Sequence, residues 1–120
     1  MTTPQAHVLL VEDSEAVAGA MRVLIESVGF RFTSADSVAD AIARGTTDPA
    51  QLVLLDLTLP DGDGLSAIPL LRAAGCGQFV ALTGHDDQAT RQRCLDAGCL
   101  DVLVKPVPAR ELTRRLVSWL

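Results

Sequence analysis

Residues Gln51 to Leu65 read QLVLLDLTLPDGDGL, an apolar run that ends on one carboxylate, Asp56, and then breaks into a turn of Pro, Asp and Gly. Leu52, Val53, Leu54 and Leu55 carry no polar residue among them, the pattern of a strand buried on both faces of a parallel sheet. A carboxylate where such a strand emerges is costly unless it is hydrated, paired or bound to a metal. Asp56 therefore needs partners from elsewhere in the chain.

The same arrangement recurs on both sides of this stretch. His7 to Val11 reads HVLLV and stops at Glu12 and Asp13. Ser14 can cap the helix that follows, with Val17, Met21, Leu24 and Val28 facing inward up to a stop at Gly29. His7 itself reads as an ordinary residue at the start of a strand. Phe30 to Ala35 predicts a short second strand, and Ser37 can cap a helix that packs Val38, Ala41 and Ile42 until Gly45. After the opening stretch, Leu65, Ile68, Leu71 and Ala74 keep helical spacing as far as Gly75 and Gly77. Pro69 lacks an amide, so it is harmless if Ser66 caps this helix and predicts a kink near Leu65 if the helix begins at Gly64. Phe79 to Leu82 is a fourth apolar run, leading into Thr83, Gly84 and His85. Asp86 and Asp87 suit a helix N-terminus, where the macrodipole favours anions, and Ala89, Cys94 and Ala97 precede a stop at Gly98. Leu100 to Val104 ends at Lys105 and Pro106, and a last helix from about Pro108 packs Leu112, Leu116 and Trp119.

Five strands alternating with helices predict an α/β fold, a parallel sheet covered by helices on both faces. In open sheets of this kind ligands bind beyond the carboxyl ends of the strands. Glu12, Asp13, Asp56, Thr83 and Lys105 all fall at that edge. A small set of hard oxygen donors suits Mg²⁺, which keeps several waters and is commonly completed by phosphate oxygens. A lysine and a hydroxyl nearby would balance phosphate charge. Asp56 then serves either as a metal ligand or as a carboxylate nucleophile that forms an aspartyl phosphate.

With 120 residues and 48% hydrophobic composition, the chain fits a single domain, residues 1–120, with no output domain. Its net charge of -5 argues against direct nucleic-acid binding. Cys76, Cys94 and Cys99 have no metal-ligand spacing and read as idle thiols in a reducing compartment. The start has no basic region followed by an apolar stretch, and no apolar run approaches the ~20 residues that span a bilayer, so a cytoplasmic protein away from membranes is expected.

The segments VLLVEDS, LLDLTLPDGDGL, ALTGHDD and DAGCLDVLVKP together resemble the receiver domain of two-component response regulators, over essentially the whole chain. The resemblance implies a flavodoxin-like (βα)5 three-layer sandwich with a five-stranded parallel sheet in order 2-1-3-4-5. It implies that Asp56 is the phosphoacceptor, that Glu12 and Asp13 hold Mg²⁺ directly or through water, and that the backbone carbonyl of Thr58 is a further metal ligand. Thr83 corresponds to the hydroxyl that binds the phosphoryl oxygens, Lys105 to the cation that pairs with them, and Lys105-Pro106 to a cis peptide. The side chains of Thr58 and His85 overlook the phosphoryl group, and an imidazole there can tune its hydrolysis with pH. Expected partners are a sensor histidine kinase or a histidine phosphotransfer protein. The expected role is a signalling switch rather than an enzyme, with self-phosphorylation and slow autodephosphorylation as its only chemistry.

Two switch positions matter for the readout, Thr83 and Val102. The family usually has an aromatic ring at the second, turning inward on activation, and the branched side chain of Val102 cannot make that rotation. A homodimer or an effector contact is expected on the surface of the fourth helix, fifth strand and fifth helix. Arg110, Arg114 and Arg115 crowd that last helix, either as a solvated face or as a docking face. Three other functions compete. A phosphohydrolase with an Asp nucleophile would want a second Asp where Thr58 stands. A flavin module would want glycine and serine where Glu12, Asp13 and Ser14 stand. A phosphorylation-independent interaction domain would have no use for the intact acidic and basic set.

Overall fold

Each apolar run becomes a strand of one parallel sheet in the computed structural model of the protein, which describes residues 5–120. The strands are β1 (His7–Val11), β2 (Arg31–Ala35), β3 (Leu52–Asp56), β4 (Gln78–Thr83) and β5 (Asp101–Val104). They alternate with helices α1 (Glu15–Ser27), α2 (Val38–Thr47), α3 (Ile68–Ala73), α4 (Gln88–Asp96) and α5 (Ala109–Trp119). The sheet order is β2-β1-β3-β4-β5, every pairing parallel, which is the flavodoxin-like order expected above. No helix among the described residues is long and apolar enough to cross a membrane.

Successive strand residues point to opposite faces, so a strand covered on both sides must be apolar throughout. Leu9, Val11, Val53, Leu55 and Phe79 face one layer, packed against Ala41, Leu71 and Cys94 from α2, α3 and α4. Val8, Leu10, Leu52, Leu54 and Leu82 face the other, packed against Ile25 from α1 and Leu112 and Leu116 from α5. Each fully buried leucine contributes about 1.5–3 kcal/mol. That fixes the register, because a one-residue slip would exchange the two faces.

The caps follow the sequence. Ser14 Oγ accepts from the Val17 amide at 3.3 Å, Ser37 Oγ from the Asp40 amide at 3.0 Å, and Asp87 Oδ1 from the Thr90 amide at 2.7 Å. The Lys105–Pro106 peptide is cis.

Several local expectations are corrected. The buried face of α1 is Met21 and Ile25, while Val17 and Val28 are exposed. Val17 stands in the first turn beside an open groove, and Val28 lies past the last turn, so both keep a share of their surface in solvent. Gly45 does not stop α2, which runs to Thr47. A Cβ at Gly45 would come within 2.3 Å of Leu71 Cδ2, so this glycine lets α2 approach α3. The third helix starts in neither of the two ways considered: Gly64–Ala67 forms a 3-10 turn capped by Asp63, whose Oδ1 accepts from the Leu65 amide at 2.9 Å. Pro69 then falls in the first turn of α3 and breaks nothing, and Ser66 donates its hydroxyl to the Asp63 carbonyl instead of capping. On α4 only Cys94 is buried, and Ala89 is exposed.

All three cysteines are buried, as idle thiols should be. Burial pushes the Cys99 thiol up to about 12, with the neighbouring Cys94 adding to it, which leaves little reactive thiolate. His7 is more than an ordinary strand residue. Its buried ring sits between Thr33 Oγ1 at 2.7 Å and the Pro49 carbonyl at 3.3 Å, at the end of the sheet away from Asp56.

Leu54 is fully buried at the centre of the sheet. Leu54→Ala is expected to lower unfolding free energy by about 2–5 kcal/mol in urea titrations. Val23→Ala, at a position 67% exposed on α1, should change it by less than about 0.5 kcal/mol.

Candidate functional site

Four strands deliver the site residues to one corner of the sheet. The ends of β1 and β3 bring Glu12, Asp13 and Asp56, while β4 and β5 bring Thr83 and Lys105. Glu12, Asp56 and Thr83 are buried and Asp13 is exposed. Lys105 Nζ donates to Glu12 Oε1 at 2.8 Å and to Asp56 Oδ2 at 2.7 Å. Its own amide donates to the Thr83 carbonyl at 2.7 Å, which ties the lysine to the neighbouring strand. The second oxygens are held by the chain as well. The Ser14 amide donates to Glu12 Oε2 at 3.2 Å, and the Thr58 amide to Asp56 Oδ1 at 3.2 Å.

Glu12, Asp13 and Asp56 each offer an oxygen within 4.8 Å of the others. Three carboxylates against one ammonium leave the corner negative. Burial holds the Glu12 carboxyl above the usual carboxylate range; Lys105 and the Ser14 amide counter this, and the Asp56 charge adds to it. For Lys105, burial works to lower the ammonium, but the hydrogen bonds and charges of Asp56 and Glu12 prevail and raise it. Hard oxygen donors at this spacing, carrying excess negative charge, fit a small divalent cation.

Thr83 Oγ1 accepts from the His85 amide at 3.0 Å, so the hydroxyl is bonded to the loop that follows β4. The His85 and Thr58 side chains are exposed at the same edge. Val102 is buried on β5 among the residues that face α2, α3 and α4. On α5, Arg115 is held by Glu111 and Asp101 and Arg114 by Glu111, so these two cations are engaged within the chain. Beside Lys105 lies an apolar groove of about 460 Å³, lined by Val17, Met21, Leu24, Pro106, Val107 and Leu112.

The segment after Asp56 holds residues that sequence reasoning treated only as a turn. Thr58–Leu59 pairs antiparallel with Gly62–Asp63 in a small hairpin outside the sheet. Asp61 at its tip bonds to the start of α2, and Asp63 at its base forms an ion pair with Arg93 of α4. These partners lie 22 to 30 residues away, beyond the reach of local spacing. Gly64 closes the hairpin where a Cβ would meet the Asp56 carbonyl oxygen at 1.9 Å, so glycine is required there.

The family described as the response regulator receiver domain matches residues 8–117. The chain is 34% identical over 110 residues to the KDP operon transcriptional regulatory protein KdpE of Escherichia coli, an overlap of 92% of this chain and 49% of that protein. It is 38% identical over 111 residues to the swarming motility regulation protein RssB of Serratia marcescens, covering 92% and 51%. The chain thus spans about half the length of these curated relatives. The receiver domain of sensor histidine kinase PA1611 from Pseudomonas aeruginosa, crystallised with a magnesium ion coordinated in its active site cleft, is similar at a TM-score of 0.83 and 33% identity, covering 97% of this chain and 98% of that one. Chemotaxis protein CheY4 of Vibrio cholerae shares the fold at a TM-score of 0.90 and 21% identity, covering 98% and 100%.

Because the Glu12 pKa is raised, its contribution favours folding at low pH and is lost as pH rises through that pKa. Lys105, also raised, stabilises throughout the neutral range and loses that effect only above its ordinary alkaline value. Lys105→Met should therefore destabilise the metal-free protein by about 1–3 kcal/mol, discounted for a side chain that is 30% exposed. The loss should be larger at pH 8 than at pH 5, as read by urea titration in chelator. The same variant should bind a divalent cation more tightly, since the ammonium that repels it is gone.

Proposed function

Because the chain belongs to the response regulator receiver domain family, we propose that it takes a phosphoryl group from the phosphohistidine of a sensor histidine kinase or a histidine phosphotransfer protein onto Asp56, and that the change controls a partner or an output domain. The observation that carries this reading is the Lys105 ammonium shared by Glu12 and Asp56, with the Asp13 carboxylate beside them. A carboxylate oxygen of Asp56 attacks phosphorus, the P–N bond breaks, and its electron pair returns to the imidazole nitrogen of the donor. Bound Mg²⁺, held by Glu12 and Asp13 directly or through water, by Asp56 and by the Thr58 carbonyl, would supply neutralisation of charge on the transferring oxygens. The Thr58 amide and Lys105 hold the two oxygens of Asp56 and so orient the nucleophile before the donor arrives. Lys105 and the Thr83 hydroxyl then turn to the phosphoryl oxygens.

This chemistry makes the protein a signalling switch. Turning Thr83 Oγ1 toward the phosphoryl group takes it from the His85 amide, which frees or pulls the loop between β4 and α4. Since Val102 is already in the core, the output runs through this loop without a ring rotation, and its energy is limited by contacts that differ between the two states. A dimer or effector contact uses the α4, β5 and α5 surface, where Leu95 and Leu100 are exposed. The donor packs an apolar helix face into the groove beside Lys105, which opens next to the site.

Mass spectrometry after treatment with acetyl phosphate and Mg²⁺ tests the central step. One phosphoryl group is expected on the wild type and none on Asp56→Asn; an equal gain on both would refute it. In the same assay Val17→Glu should accept from acetyl phosphate at the wild-type rate but more slowly from a phosphorylated kinase. His85 bears on the phosphoryl lifetime. His85→Ala should change the rate at which the aspartyl phosphate hydrolyses, read as loss of the phosphoryl mass with time.

A further inference from the structure

The hairpin that follows Asp56 is fastened to two helices that are remote in sequence. At its tip, Asp61 Oδ1 accepts from the Val38 amide at 2.8 Å and Oδ2 from the Ala39 amide at 3.0 Å. Val38 and Ala39 open α2, and amides in a first helical turn have no partner inside the helix. The next amide, Asp40, is taken by Ser37 Oγ at 3.0 Å. The first turn of α2 is thus capped twice, once by its own Ser37 and once by a carboxylate from the hairpin. Those two bonds hold the Asp61 carboxyl below its usual range.

The hairpin also carries Thr58. Its amide holds Asp56 Oδ1, and its residue pairs with Asp63, whose carboxylate reaches Arg93 on α4. Mg²⁺ demands near-ideal octahedral geometry at about 2.1 Å, so a carbonyl displaced by a few tenths of an ångström is a poor ligand. Of the four paired residues only Leu59 is buried in the core, and a two-rung ladder with one apolar anchor does not by itself fix the hairpin tip to that tolerance. The fastening at Asp61 supplies the missing constraint.

We propose that Asp61 is a positioning residue for the metal and phosphoryl site: by tying the hairpin tip to the first turn of α2, it keeps the Thr58 carbonyl in register with Asp56 and Asp13. This rests on the phosphoacceptor reading above. The coupling is reciprocal, so a cation at the site stiffens the start of α2. That gives the protein a second path from the phosphoryl site to its surface, through the start of α2.

The test is a Mg²⁺ titration of the full chain, followed by calorimetry and by hydrogen exchange at the Val38 and Ala39 amides. Asp61→Ala should weaken Mg²⁺ roughly tenfold, the lower end of what a supporting residue behind a ligand contributes. Mg²⁺ should slow exchange at the two amides in the wild type and not in Asp61→Ala. Asp61→Asn loses the charge but keeps an acceptor for one amide, so its affinity should fall between the two. Ser37→Ala removes a cap from the same turn without touching the hairpin and should leave Mg²⁺ affinity unchanged. Wild-type affinity in Asp61→Ala, an equal loss in Ser37→Ala, or a loss as large in Asp61→Asn as in Asp61→Ala would each overturn the inference. Wild-type protein that binds no Mg²⁺ would instead overturn the functional premise itself.

Discussion

A single ammonium between two buried carboxylates is the constraint on which the rest of this structure depends. Lys105 Nζ reaches Glu12 and Asp56 from the far end of the chain, across 93 and 49 residues. The contact exists only if β1, β3 and β5 end at the same level, and parallel strands of this sheet do so because their apolar faces lock the register. In return, the lysine makes it tolerable for two acids to sit where the solvent is nearly excluded.

The compensation is incomplete, and the proposed function uses what is left over. A fully balanced corner would bind nothing. Here the Asp13 carboxylate stays exposed, and Glu12 is held above its normal range by burial. An arrangement with two negative charges in excess favours a cation, and through the cation the anionic oxygens of a phosphoryl group. Neutral capping groups would have made the sheet edge more stable and chemically inert.

The elements around that corner divide into a rigid wall and movable attachments. Leu54, Val53 and their neighbours are packed on both sides by helices and leave β3 no freedom. The Thr58–Asp63 hairpin, with Leu59 as its one buried anchor, and the loop after Thr83 are held largely by a few polar contacts, from Asp61, Asp63 and the His85 amide. Such contacts can be exchanged at small cost, whereas a packed core cannot be rearranged piecemeal. In the proposed switch, the missing aromatic at Val102 shifts the weight of the conformational response onto these attachments.

The five strands, their order of appearance and the five polar residues at the sheet edge were legible in the sequence, because continuous apolar runs and the acids, hydroxyl and lysine that end them are local patterns. The helix caps at Ser14, Ser37 and Asp87 were legible for the same reason. Where the sequence misled, the cause was a neighbour it cannot display. Gly45 reads as a helix stop, yet Leu71 is what it accommodates. Val17 reads as core, yet it is exposed at the rim of a groove. His7 gains its buried partners Thr33 and Pro49, and Asp61 its amides on α2, from segments brought close only by the sheet. Pattern along the chain determined which elements form and which chemistry stands at their ends; contact across the fold alone decided how those ends are held, since that depends on distances between residues far apart in sequence.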